Sequence, residues 1–131
     1  MRSIEFEYIP FKGLYVPMIP LKIKSGNLWF ERWAFVDSGA TYSIFHTKEL
    51  TGTGIDYKHG KKMMIIVGDG SFIPVNFIKL SLMVGDIEIE TTIGFSEHLG
   101  VGFNLLGGKD IFERFKVCFS DSNKIVSFQE E

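Results

Sequence analysis

The sequence predicts an all-β domain, built as a closed or sandwiched barrel. Three observations carry this reading. Polar and apolar residues alternate cleanly in Ser3-Ile4-Glu5-Phe6-Glu7-Tyr8, the signature of a half-buried strand. Short apolar runs recur along the chain, separated by turn signals such as Ser25-Gly26-Asn27, Gly85-Asp86 and Asp121-Ser122-Asn123. Only residues 109–115 carry a persuasive helical pattern.

Taken in order, the first strand is residues 3–8. Pro10, Pro17 and Pro20 then predict an irregular or sheet-edge stretch, because proline cannot donate to a ladder. Leu21-Lys22-Ile23 and residues 28–36 flank Ser25-Gly26-Asn27 as a hairpin. Residues 46–50 read as one helical turn, with Thr47 as its cap, and residues 51–54 as loop. Residues 61–67 and 72–77 flank Gly68-Asp69-Gly70, and residues 78–84 and 87–93 flank Gly85-Asp86. Residues 96–102 form a loop, residues 109–115 a short helix, and residues 116–119 and 125–128 a last hairpin. There is no internal repeat, low-complexity tract or linker, so residues 1–131 read as a single domain.

Composition bounds the function. An apolar share of 45%, with thirteen Phe, supports a folded core and excludes a disordered tail. A net charge of −2, with both signs interspersed, leaves no basic stripe for nucleic acid. The longest apolar stretches, such as residues 63–67, fall far short of a membrane span, and Met1-Arg2-Ser3-Ile4-Glu5 lacks an apolar signal segment. The one cysteine, Cys118, cannot form an internal disulfide, which fits a cytoplasmic, reducing home.

The most informative segment is Val36-Asp37-Ser38-Gly39-Ala40. The apolar run Trp33-Ala34-Phe35-Val36 drives straight into an aspartate, and Ser38-Gly39-Ala40 bends the backbone with small side chains. Desolvating a carboxylate is costly, so one at the end of a buried strand needs a partner or a purpose. A turn of small residues is what a catalytic Asp needs when a peptide and a water must reach it. The same tripeptide also reads as a turn aspartate that caps its own backbone.

The order of segments decides between these readings. Asp37-Ser38-Gly39-Ala40 resembles the Asp-Thr/Ser-Gly-Ala motif of retroviral-type (retropepsin-like) aspartic proteases. Further on, Ile65-Ile66-Val67-Gly68-Asp69-Gly70-Ser71-Phe72-Ile73 is similar to the glycine-tipped flap hairpin of that family. Asn104-Leu105-Leu106-Gly107, followed by the helical pattern of 109–115, resembles the family's second apolar-apolar-Gly segment and the helix after it. The resemblance runs from about Pro17 to Phe128. It implies a closed acid-protease-type barrel with a flap hairpin and one short C-terminal helix.

The resemblance also implies a chemistry. Asp37 is the catalytic carboxylate, Ser38 orients the active-site turn through its hydroxyl, and Gly39 offers its carbonyl to the substrate backbone, with Ala40 completing the turn. Gly68, Asp69, Gly70 and Ser71 form the flap tip, where glycines allow positive φ and a close approach to bound peptide. One motif on a one-lobed chain requires the second carboxylate to come from a C2-related copy. Two facing Asp37 carboxylates then share a proton, the ionised member activates a water and the neutral member donates to the scissile carbonyl. The expected partners are a peptide or protein substrate and a second copy of the chain; no cofactor, metal, nucleic acid or membrane is expected. The family's dimer-bracing Asp after Gly-Ala and Arg after Leu-Gly are replaced here by Thr41 and Gly108. The dimer is therefore expected to rest on the terminal strands, residues 4–8 and 125–129, which read as open edges.

Other candidates carry less. Gly107-Gly108-Lys109-Asp110 lacks the first glycine and the Ser or Thr of a phosphate loop. Asp56 and His59 read as surface residues without a second ligand pair, and His46 and His98 lie far from them in sequence. Cys118 reads as a buried structural thiol. Trp29, Phe30 and Trp33 read as core or interface rather than a ligand cage. Two rival functions stand beside the protease. One is a non-catalytic retropepsin-fold module for dimerisation or peptide binding, and the other is an unrelated β-barrel for small ligands.

Overall fold

The computed structural model describes residues 2–131. Twelve strands account for nearly all regular structure: β1 (Ser3–Glu7), β2 (Ile9–Phe11), β3 (Leu14–Val16), β4 (Met18–Ser25), β5 (Leu28–Val36), β6 (Ser43–His46), β7 (Lys61–Ile66), β8 (Phe72–Val84), β9 (Ile87–Ser96), β10 (Asn104–Leu106), β11 (Phe115–Ser120) and β12 (Ile125–Glu130). Six of them close a barrel in the order β4-β5-β10-β6-β9-β8, and β8 returns to β4 through Lys22↔Met83 and Ile23↔Leu82. Closure removes the sheet edges that would otherwise remain open. The strands bury alternate residues, as a half-solvated sheet must: Ile19, Leu21 and Ile23 of β4, Leu82 and Val84 of β8, and Ile87, Ile89 and Ile93 of β9 share one core. Among the described residues, no helix is long and apolar enough to cross a membrane.

Two parallel pairings interrupt the hairpin pattern. β10 runs parallel to β5, with Asn104 opposite Ala34 and Leu106 opposite Val36, while β6 runs parallel to β9. The three-residue β10 is thereby threaded between β5 and β6. Asn104 holds this junction: its side-chain Oδ1 accepts from the His46 amide (3.0 Å) and its Nδ2 donates to the Trp33 carbonyl (2.9 Å). Both of its polar atoms are satisfied at 6% exposure, so a buried amide here costs little.

β8 is one continuous strand rather than the two that the sequence suggests. It pairs with β7 over residues 72–77 and with β9 over residues 76–84, so the β7–β8 hairpin is cantilevered from the barrel wall. Beneath that hairpin lies a second apolar cluster of Ile44, Ile73, Val75, Phe77 and Leu99. This cluster covers the second face of β9, and alternation there gives way to the fully buried run Ile93, Gly94, Phe95 and Ser96.

The stretch around the prolines, expected to be irregular or at a sheet edge, is largely paired strand. Pro10 lies in β2 and Pro20 in β4, each at a position paired on one side only, where a missing N–H is tolerated. β2 and β3 form a separate hairpin turning at Lys12-Gly13, both at positive φ. The expected helical turn is a 3-10 turn, Thr47–Leu50, but its cap is His46, whose Nδ1 accepts from the Lys48 amide, rather than Thr47. A second 3-10 turn, Tyr57–His59, is capped by Asp56.

Two further expectations require correction. The short C-terminal helix is replaced by a series of turns over residues 109–114. Asp110 adopts φ +67, which interrupts a right-handed ladder, and its Oδ2 is drawn to the Thr92 amide at 2.9 Å. The i, i+4 pair Ile111 and Phe115 still faces the core, and that spacing produced the helical pattern. Cys118, expected to be a buried thiol, is exposed, and Trp33, read as core or interface, is 41% exposed and so is not in the core.

The C-terminal strand is not an open edge. β12 is central in a three-stranded sheet, with β1 on one side and β11 on the other. It buries Val126 and Phe128 in the main core, and Phe128 meets Phe6 and Phe115 edge-on at 5.8 and 5.6 Å. Tyr8 fastens the N-terminal end of this sheet. Its amide donates to the Lys124 carbonyl and its hydroxyl to Asp121 Oδ1 at 2.7 Å. Burial, then the Asp121 hydrogen bond and charge, push the Tyr8 hydroxyl up from 10.0 to about 12.

Two predictions follow from these contacts. Because the folded state raises the Tyr8 pKa, the associated stability is fully present below pH about 10 and is lost as pH rises through about 12. Tyr8→Phe should therefore be less stable than wild type at neutral pH, by about 0.5–1.5 kcal/mol for the lost hydrogen bond. The difference should narrow as pH climbs towards 12; urea denaturation at several pH values would show a constant or widening gap if this assignment is wrong. At the β10 terminus, a Cβ on Gly107 would overlap the backbone carbonyl of Tyr42. Gly107→Ala should cost about 1–3 kcal/mol, read as a lowered urea midpoint; an unchanged midpoint would contradict so close a backbone approach.

Candidate active site

Asp37 is the first residue beyond β5, and Gly107 is the first beyond β10. Parallel pairing of these strands delivers the two residues side by side. The Asp37 amide donates to the Leu106 carbonyl at 3.0 Å, continuing the ladder by one step. The chain then turns tightly: the Ala40 amide donates to the Asp37 carbonyl (3.2 Å), and the Gly39 amide donates to Asp37 Oδ1 (2.9 Å). The turn is gripped from the far side, where the Gly108 amide donates to the Ala40 carbonyl (2.9 Å) and the Lys109 amide to the Thr41 carbonyl (2.8 Å). Buried Ser43 adds its Oγ as acceptor for the Gly107 amide at 3.0 Å.

Asp37 and Ala40 are half-buried, while Ser38 and Gly39 are exposed. Among the described residues the Ser38 hydroxyl has no hydrogen-bond partner within the chain. The hydroxyl that braces this region belongs to Ser43, which the sequence reading did not single out. Gly108 and Thr41 stand against the turn through backbone bonds alone, with no ion pair.

Asp37 opens into a cleft of about 620 Å³. Its floor is the turn itself with Tyr42 and Ile44; one wall is Leu99, Val101, Phe103 and Leu105; the opposite cover is the β7–β8 hairpin, through Met64 to Gly68 and Phe72. Among the described residues, Asp37 is the only charged side chain lining it. The wall residues lie in the loop 97–103 and the start of β10, and Phe103 is held in place by stacking on Phe35 (5.0 Å) and by an edge contact with Phe11 of the β2–β3 hairpin (5.7 Å). On the far side of Leu99 and Phe103 is a second hollow of about 300 Å³, where Trp33, Arg32 and His46 line the surface. Arg32 is fixed there by donating Nε–H to the Glu49 carbonyl at 2.8 Å.

The hairpin tip folds as a tight, glycine-dependent turn. The Val67 amide donates to the Ser71 carbonyl (2.9 Å) and the Gly70 amide to the Val67 carbonyl (2.8 Å), with Gly70 at φ +85. Asp69 Oδ1 accepts from both the amide and the hydroxyl of Ser71. These bonds, the hydroxyl's first, hold the exposed Asp69 carboxyl below the usual carboxylate range. Gly68 lines the cleft, whereas the exposed Asp69 does not.

The structure thus brings Gly68 to the same cleft as Asp37, Gly39 and Ala40, from which it lies far in sequence. His46, His59 and His98 do not converge. Asp56 and His59 meet each other on the surface at 3.0 Å, and among the described residues no three His, Cys, Asp or Glu side chains form a metal-binding group.

No family model and no curated protein matches this sequence. Solved structures do match. A retropepsin-like aspartic protease from Rickettsia conorii superimposes with a TM-score of 0.62 at 20% identity, covering 97% of this chain and 91% of that one. The EIAV protease complexed with the inhibitor HBY-793 superimposes with a TM-score of 0.55 at 16% identity, covering 76% of this chain and 88% of that one. The closed six-stranded barrel, with a hairpin laid over its cleft, is a retropepsin-like fold.

Proposed function

We propose that this chain is an aspartic endopeptidase, active as a C2 homodimer in which two Asp37 carboxylates activate one water. The observation that carries the reading is the setting of Asp37. Among the described residues it is the sole charged side chain lining an apolar cleft covered by a glycine-tipped hairpin, on a turn clamped by four backbone hydrogen bonds and by the Gly39 amide on its own carboxylate. An extended peptide lies between this turn and the hairpin, its backbone pairing with both and its apolar side chains against Leu99, Val101 and Phe103. The carboxylate nearest the water takes its proton, and its protonated twin donates to the carbonyl oxygen of the scissile bond. The water oxygen bonds to the carbonyl carbon as its proton leaves; the resulting tetrahedral intermediate then breaks its C–N bond while the carboxyl pair returns a proton to the nitrogen, giving an acid and an amine with no covalent enzyme intermediate. Closure of the hairpin excludes bulk water and holds the reacting groups together.

A second reading keeps the fold and drops the chemistry: a peptide-binding module in which Asp37 is a relic. The observation that favours it is local. Ser38 is unpartnered within the chain, and Thr41 and Gly108 supply no ionic brace.

Asp37→Asn separates the two readings. Asparagine keeps an acceptor for the Gly39 amide, so the turn should persist. Hydrolysis of an apolar peptide should fall by at least about 10²- to 10⁴-fold, because acid and base are removed together. Equal turnover by the variant would exclude Asp37 from the chemistry. Since one copy has one such carboxylate, specific activity should also fall on dilution, in step with loss of dimer measured by sedimentation. A monomer that retains full specific activity at every concentration would exclude the two-carboxylate mechanism.

A further inference from the structure

Behind the cleft wall, the hollow of about 300 Å³ combines an aromatic lining with one unpaired charge of each sign. It forms where β5 lacks a neighbour: β10 pairs with β5 only from Ala34 onward, so no strand covers residues 31–33 on that side. Phe11, Trp33 and Phe103 supply rings, and Trp33 is left 41% exposed. The charged side chains beside them are Glu31, Arg32, Lys48 and Glu49. Arg32 and Glu49 answer each other at 3.8 Å, and Arg32 is held further by donating to the Glu49 and Glu31 carbonyls at 2.8 and 2.7 Å. Among the described residues, Glu31 and Lys48 enter no ion pair. His46 Nδ1 accepts from the Lys48 amide at 3.0 Å, which leaves Nε2–H as a donor without a partner among the described residues. We propose that this hollow binds a free aromatic amino acid, with its ring against Phe11, Trp33 and Phe103, its ammonium at Glu31, and its carboxylate at Lys48 and His46 Nε2–H.

The unmatched groups select this chemistry. A ligand with a ring and one charge would leave either Glu31 or Lys48 unanswered, and a zwitterion without a ring would leave the aromatic lining in water. A zwitterion with a ring matches all three, through charge-assisted hydrogen bonds at one end and ring contacts at the other. The volume lies at the small end of ligand pockets, which fits a single amino acid and not a longer peptide. The site also has a route to the cleft. Leu99 and Phe103 line both hollows, so they are one partition with a ligand space on each side. Phe103 is steadied only by rings, those of Phe35 and Phe11. A further ring behind it fixes the partition before a peptide arrives, so amino acid and peptide each raise the other's affinity.

The test is calorimetric titration of the full chain with L-phenylalanine and three analogues: phenethylamine lacks the carboxylate, hydrocinnamate lacks the ammonium, and L-alanine lacks the ring. L-phenylalanine should bind most tightly. Glu31→Gln should weaken L-phenylalanine and phenethylamine about two- to fivefold and spare hydrocinnamate, and Lys48→Gln should do the reverse. Trp33→Ala should weaken every probe that carries a ring, while Asp37→Asn should leave all affinities unchanged, since the ligand lies outside the cleft. No binding of L-phenylalanine, or analogues that bind as well as it does, would overturn the site. So would an affinity indifferent to both Glu31→Gln and Lys48→Gln. The coupling is read by fluorescence anisotropy, as binding of an apolar peptide to Asp37→Asn with and without saturating L-phenylalanine. Tighter peptide binding in its presence is expected, and unchanged affinity would overturn the coupling through the partition. Every readout is binding, so loss of the endopeptidase reading would leave this site standing.

Discussion

The hydrogen bond from the Asp37 amide to the Leu106 carbonyl, and the parallel pairing of β5 with β10 that it completes, is the constraint on which the cleft depends. Parallel neighbours end on the same side, so the residues that follow them emerge together. One is a carboxylate and the other a glycine. The glycine is required, because the Tyr42 carbonyl occupies the space a Cβ would take. With no side chain there, the segment 107–109 can donate its amides to Ser43 Oγ and to the Ala40 and Thr41 carbonyls. The turn of residues 37–41 is thus held largely by backbone groups whose positions the barrel fixes. A catalytic carboxylate gains from this arrangement, since its geometry is set before substrate arrives.

The cover and the wall of the cleft follow from two other features. β8 is long enough to serve the barrel with one half and the hairpin with the other, so the hairpin has a rigid root and a glycine-rich tip. The wall has no such backbone support; loop 97–103 is steadied by rings, with Phe103 between Phe35 and Phe11. The β2–β3 hairpin therefore buttresses the cleft from outside the barrel. The terminal sheet plays a different part from the one its short alternating strands suggest. Its central strand is satisfied on both edges and its aromatic residues belong to the main core, so it completes the fold of the single chain, and truncating residues 125–131 would remove core side chains. A dimer of this chain has only the outer edges of β1 and β11 to offer from that sheet.

Much of this was legible in the sequence, for identifiable reasons. Alternation reports strands wherever one face meets solvent, and Gly-Asp pairs report hairpins, so most barrel strands fell close to their observed limits. The Asp37 turn and the Gly68–Ser71 tip were legible because glycine and small residues mark places where the backbone must bend or be approached. Long-range effects were not legible. Residues 109–115 carry helical spacing, but a hydrogen bond from Thr92, far away in sequence, pulls Asp110 into a left-handed conformation. Ser43 and Asn104 look ordinary until β10 is threaded between β5 and β6 and buries them at a junction. Cys118 sits among apolar neighbours in sequence, yet its side of β11 faces outward. The central position of β12 depends on strand order, which no local pattern encodes.

The central claim is that two Asp37 carboxylates meet across a dimer axis. It is tested most directly by a crystal structure of the chain with a statine-type peptide mimic, whose hydroxyl imitates the attacked carbonyl. The account predicts one mimic per two chains, lying beneath the Gly68–Ser71 hairpins, with its hydroxyl within hydrogen-bond distance of both Asp37 side chains. A mimic bound to a single chain, or two Asp37 residues facing away from each other in every assembly that binds it, would contradict the account.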